Sequence, residues 1–178
     1  HQSTSGDLVL IHNGIIENYA SLKVELVNRG HSFLSDTDTE VLVHLIDDIQ
    51  RTEKVDLAEA VRLALQSVVG AYAIVVLDKK APDMMVAARK SSPLVIGIGD
   101  GEYFAASDAT PIVEHTKNVV YLEDGEIAVI DREHGLKIRN VKNQEKTPFI
   151  QELELHLEAL EKGGYDHFML KEIHEQPR

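Results

Sequence analysis

The chain's first apolar run, Asp7 to His12, is bounded by a Ser/Thr/Gly segment on one side and by Asn13-Gly14 on the other. That pattern predicts a buried strand that ends in a turn. Helical spacing follows. Between Glu17 or Asn18 and Arg29, the residues Leu22, Leu26 and Val27 share a face, and Gly30 stands where such a helix would stop. His31 to Ser35 reads as a short extended piece. Thr37-Asp38-Thr39-Glu40 has capping-box spacing and opens a helix striped by Val41, Leu42, Leu45, Ile46 and Ile49. A third helix starts with Asp56 as its cap and carries Leu57, Ala60, Val61, Ala64, Leu65 and Val68 up to Gly70.

Beyond Gly70 the period becomes that of strands. Seven short candidates are Ala71 to Leu77, Met84 to Ala88, Leu94 to Ile98, Tyr103 to Ala106, Val119 to Leu122, Ile127 to Ile130 and Leu136 to Arg139. Turn signals at Ala81-Pro82-Asp83, Gly99-Asp100-Gly101 and Asp124-Gly125 separate them, which predicts an antiparallel meander, with one short helix from Asp108 to about Glu114. The strands are nearly continuous apolar runs, so both faces of the sheet should be covered, by helices on one side and a second sheet on the other. Helical spacing returns from Thr147 to Lys162 through Phe149, Ile150, Leu153, Leu157 and Leu160, and again from His167 to Glu175.

Composition narrows the function. A chain of 178 residues has room for one domain with a real core, or two small ones. Thirty Asp and Glu against eighteen Lys and Arg give a net charge of −12, which argues against a nucleic-acid partner. There is no cysteine, hence no disulfide, no Cys-ligated metal and no thiol nucleophile from these residues. The longest uncharged stretch, the 15 residues from Leu63 to Leu77, falls short of the ~20 needed to span a bilayer. No membrane association is expected, and His1 as first residue implies that the natural start has been removed.

The nine histidines are scattered without ligand spacing, so they read as surface residues and no metal or cofactor is expected. Gly97-Ile-Gly99-Asp-Gly101 lacks the spacing of a phosphate loop and is explained by a hairpin. Two features could carry chemistry. Asn13 offers a side-chain amide beside the backbone N–H of Gly14, the components of an oxyanion hole; the bland alternative is a common turn dipeptide. Asp38 stands in the first turn of a helix, where a carboxylate complements the dipole. Because Thr37 or Thr39 can serve as the cap, its carboxylate could instead bind an ammonium group.

Five motifs in order, HNGIIEN (His12 to Asn18), SDTDTEV (Ser35 to Val41), GAYAIVVLD (Gly70 to Asp78), AARKSSPLVIGIGDGEYFAASD (Ala87 to Asp108) and HFMLKEIHEQP (His167 to Pro177), cover nearly the whole chain. Together they resemble the glutaminase domain of the glutamine–fructose-6-phosphate aminotransferases, within the class II glutamine amidotransferases. The resemblance implies an α+β fold: a four-layer αββα sandwich of antiparallel sheets, of the N-terminal-nucleophile hydrolase type and incomplete at its N-terminus. It implies that Asn13 and Gly14 form the oxyanion hole and that Gly14 and Asp38 contact the substrate, L-glutamine, with Asp38 pairing its α-ammonium group. An N-terminal cysteine would attack the glutamine side-chain amide, form a thioester and release ammonia.

By the same resemblance, that cysteine lies upstream of His1 and the sugar isomerase domains lie downstream of Arg178. Residues 1–178 would then be a cytoplasmic glutaminase-domain fragment, inactive alone, meeting fructose 6-phosphate only through the absent domains. A homo-oligomer is expected, because a missing strand segment leaves part of a sheet uncovered. A phosphoribosyl-pyrophosphate amidotransferase and a non-catalytic binding module are the alternatives.

Overall fold

The structure, a computed structural model, describes residues 1–153 and 165–175. Its first strand is β1 (Leu8–Ile16), followed by three helices, α1 (Tyr19–Asn28), α2 (Asp38–Glu53) and α3 (Leu57–Ser67). The sheet strands continue with β2 (Gly70–Asp78), β3 (Ala81–Lys90), β4 (Val95–Ile98), β5 (Tyr103–Ala106) and β6 (Asn118–Tyr121). They close with β7 (Glu126–Asp131), β8 (Gly135–Asn140), β9 (Glu145–Lys146) and β10 (Gln151–Glu152), and α4 (Phe168–Glu175) ends the described chain.

The strands do not form one meander. They divide into a six-stranded sheet ordered β1-β2-β3-β7-β8-β9 and a four-stranded sheet ordered β10-β6-β4-β5, with every strand pair antiparallel. Alternation then assigns the layers. Leu8, Leu10, Ile16, Tyr72, Ile74, Val76 and Val86 face α1, α2 and α3 in one core. Ala73, Val75, Ala87, Ala128 and Ile130 face the other way, onto Leu94, Ile96, Val120 and Leu122 of the second sheet and its flanks. The outer side of that second sheet is covered by Ala109, Ile112, Val113 and Leu153. This is an α+β sandwich.

Local expectations fail where tertiary pairing or turn chemistry wins. Ala81-Pro82-Asp83 belongs to β3; the reversal is at Lys79-Lys80, where the Asp78 carboxylate accepts the Lys80 N–H at 2.8 Å. Asp108 to Glu114 is a set of turns instead of a helix. Asp108 takes the Thr110 N–H at 2.7 Å, and the Ile112 and Val113 N–H groups both return to the Ala109 carbonyl, closing turns. Residues 147–150 have no regular structure, and Gln151 and Glu152 pair with β6 while the Leu153 N–H donates to the Lys117 carbonyl at 2.7 Å. Residues 154–162 of that expected helix lie outside the described residues. His31 to Ser35 forms no strand, and Val27 points to solvent while Leu22 and Leu26 are buried.

Candidate functional site

The strand does not end at Asn13-Gly14. Pairing with β2 runs unbroken from Leu8↔Asp78 through Asn13↔Ala73 and Gly14↔Tyr72 to Ile16↔Gly70. Two glycines make this possible. Gly14 has φ +140° and a Cβ there would lie 2.2 Å from the Ala71 carbonyl oxygen; Gly70 has φ +132° and would meet the Ile15 carbonyl oxygen at 2.1 Å. Only residues without a side chain let the two backbones close up in this way. The expected turn is therefore a close approach inside a ladder, and the chain reverses after Ile16, where Asn18 bonds to Ser67 and Val69.

Alternation along β1 points Asn13 away from the helices. Its carboxamide is exposed and has no hydrogen-bond partner among the described residues. It opens on a cavity of about 140 Å³ between the sheets, also lined by Ile11, Ala73, Val75, Leu94 and Ser107.

Asp38 approaches the same strand from the helix side. Thr37 is the cap of α2: its hydroxyl oxygen accepts the Glu40 N–H at 3.3 Å. The Asp38 carboxylate is thus free of capping, and its Oδ2 accepts the Ile16 N–H at 2.7 Å, two residues beyond Gly14. Asp38 also lies 3.9 Å from His12 Nδ1, which contacts the Thr39 hydroxyl at 3.0 Å. The His12 side chain is 2% exposed, and burial lowers its pKa more than the Asp38 carboxylate and the Ala71 carbonyl raise it, so the ring is held neutral.

Behind Asp38, α2 carries buried polar groups at Glu40, His44, Asp47 and Asp48 along one side. The Glu40 carboxylate does not return to the N–H of Thr37 as a closed capping box would. It accepts the N–H groups of Leu34 and Ser35, each at 2.7 Å, and the Ser35 hydroxyl. Burial raises its pKa, but these donors outweigh burial and hold it below the ordinary carboxylate value. His44 accepts the Thr4 N–H at Nδ1, 3.2 Å, which leaves Nε2 as the protonated nitrogen, 3.4 Å from Glu40 Oε1. One helical turn on, Asp48 bonds to His31 at 3.0 Å and to Arg29 at 2.7 Å.

Three of the nine histidines, His12, His31 and His44, are therefore buried and partnered, against the expectation that they lie on the surface. Each has a bonded ring nitrogen, while His12 Nε2 and His31 Nδ1 are buried and make no hydrogen bond of normal geometry among the described residues. The polar stripe at positions 40, 44, 47 and 48 was the available signal: polar residues at helical spacing beside an apolar stripe mark a helix covered on two sides.

With this geometry in view, comparison with known proteins is decisive for the family. The profile of the glutamine amidotransferase domain matches residues 1–114. The chain belongs to the glutamine amidotransferase domain family. Among its relatives, the glutamine–fructose-6-phosphate aminotransferase (isomerizing) of Bacteroides thetaiotaomicron is 63% identical over 99% of this chain. That of Chlorobaculum tepidum is 57% identical over the same share. The chain spans 29% of the length of each of these two relatives. Among solved structures, the glutamine phosphoribosylpyrophosphate amidotransferase of B. subtilis, complexed with ADP and GMP, superposes on 82% of the chain and 31% of its own, with TM-score 0.66 and 30% identity. This amidotransferase domain thus has the sandwich of the N-terminal-nucleophile hydrolase type. Among the described residues no helix is long and apolar enough to cross a membrane.

Proposed function

We propose that residues 1–178 belong to a glutaminase domain that takes L-glutamine and whose ammonia serves the conversion of fructose 6-phosphate to glucosamine 6-phosphate. In this reading Asn13 and Gly14 donate to the oxyanion of the tetrahedral intermediate, where charge develops on the former amide oxygen. Gly14 also contacts the substrate through its backbone, and Asp38 pairs the α-ammonium group. The protein is cytoplasmic and self-associates. These residues supply no cysteine, so the nucleophile must come from outside them, and the 178 residues alone release no ammonia from glutamine.

The observation that carries this reading is the release of Asp38 from capping. Thr37 already caps α2, so the Asp38 carboxylate is held against β1 two residues from Gly14 and 22% exposed, within reach of a ligand. The 63% identity to a fructose-6-phosphate aminotransferase, against 30% to the phosphoribosylpyrophosphate enzyme, supports the choice of acceptor.

Titration of the chain with glutamine, followed by backbone amide shifts, tests the site. Shifts at Asn13, Gly14 and Ile16 that weaken in Asp38→Asn are expected. Shifts elsewhere, or equal response in Asp38→Asn, would overturn the assignment.

A further inference from the structure

Asp38 is set in place from two sides, and only one of them is β1. The other is the loop of residues 34–37 that delivers the chain into α2. Apolar packing does not define that loop: Leu34 is 98% exposed, and Asp36 and Thr37 are exposed as well. Its shape comes from polar groups. Glu40 accepts the Leu34 and Ser35 N–H groups and the Ser35 hydroxyl, and the Ser35 and Thr37 hydroxyls are 2.9 Å apart.

A buried carboxylate is costly unless charge-assisted hydrogen bonds satisfy it, so its presence needs a use. Helix capping is not that use, because Glu40 has given up the capping-box bond to the Thr37 N–H. That amide instead lies 3.4 Å from the Ser35 hydroxyl. Nor is the carboxylate free to swing away. His44 has its tautomer fixed by the Thr4 N–H and backs Glu40 at Oε1.

We propose that Glu40 is a positioning residue for Asp38: its carboxylate clamps the backbone at Leu34 and Ser35, fixing the loop that sets the Asp38 carboxylate for a ligand ammonium. The clamp rests on the reading of Asp38 given above, but its geometry does not. Glu40 touches no substrate in this scheme and acts only through the loop. His44 ties the clamp to the segment before β1, since the same imidazole holds Thr4.

The test uses the 178-residue chain and the isosteric variant Glu40→Gln, whose carboxamide has one acceptor oxygen where the carboxylate has two. Two readouts are taken. The first, free of any ligand, is the set of amide shifts of Leu34 to Asp38 and of Ile16, whose N–H the Asp38 carboxylate accepts. Shifts in the loop and at Ile16, in a chain that keeps its other amide positions, are the expected result. The second is glutamine affinity, which should weaken about tenfold for loss of one charge-assisted pair of hydrogen bonds.

If the Ile16 and loop amides are unchanged in Glu40→Gln, the clamp is refuted. If they change while Asp38→Asn leaves glutamine affinity untouched, the clamp stands and the substrate role of Asp38 fails. Should Glu40→Gln not fold, Ser35→Ala removes a single donor from the half-buried loop and is read in the same way, with smaller changes expected.

Discussion

The two faces of β1 differ completely. Leu8, Leu10 and Ile16, on the helix side, are 0% exposed, whereas Val9, Ile11 and Ile15, on the other, are 44%, 63% and 68% exposed. Both sets are apolar, and the same alternation produced them. The first set is sealed by α1, α2 and α3; the second is left exposed. Stability is concentrated on the covered face, where burial of apolar area is complete. The exposed Asn13 carboxamide stands on the open face, while Asp38 reaches β1 through the Ile16 backbone from the covered one. The candidate site thus straddles a strand that is packed over on one face only.

That contrast can be broken at the core first. Leu10→Ala should cost about 3 kcal/mol, since the cavity would open beneath a sealed layer; urea unfolding measures it, and a loss comparable to an exposed-site change would refute the assignment of the core. Next, Gly14→Ala places a methyl group against the Ala71 carbonyl at a φ that other residues rarely adopt. A loss of about 2 kcal/mol in the same assay, with disturbed β1–β2 amide shifts, is expected.

Lowered pH should act on the covered side with a smaller effect. Burial holds His12 and His44 below the ordinary value of 6.5. The sign follows from proton counting: just below 6.5 the unfolded chain binds protons that the folded chain refuses. Their contribution is complete above that pH and is lost as pH falls through the lower, folded values. The urea midpoint should therefore fall between pH 7.5 and 5.5, with a shallower fall in His44→Gln; an unchanged midpoint would contradict the buried neutral imidazoles. Ile11→Ser on the open face is the smallest change, within about 0.5 kcal/mol. Its expected signature lies in sedimentation, where it should reduce the self-association proposed above; an unaltered distribution would clear this face of that role.

Much of this was legible in the residues. The three helices after β1 follow from one apolar stripe each, and Thr37 and Asp56 cap α2 and α3 through the Glu40 and Glu59 amides. Eight of the ten strands among the described residues were legible in place; β9 and β10, two residues each, were not, and the division into two sheets was not because it depends on contacts between distant segments. Asn13-Gly14 shows why a dipeptide misleads: a turn and a close-packed ladder both demand glycine, and only the partner strand, with Gly70 opposite Ile16, distinguishes them. That Asp38 is free of capping was legible from its place beside Thr37, the cap the structure shows. Glu40 was read as half of a capping box because the donors its carboxylate accepts, Leu34 and Ser35, lie in a loop with no periodic signal. His44 escaped notice because its partner Thr4 is forty residues away.

The most direct test of the account joins an N-terminal cysteine segment from an active family member to His1 and measures ammonia released from glutamine. Release that requires the cysteine and falls by about 10²–10³ in Asn13→Ala, the scale of one lost oxyanion donor, is expected. Undiminished release in Asn13→Ala, or release from the 178 residues alone, would contradict it.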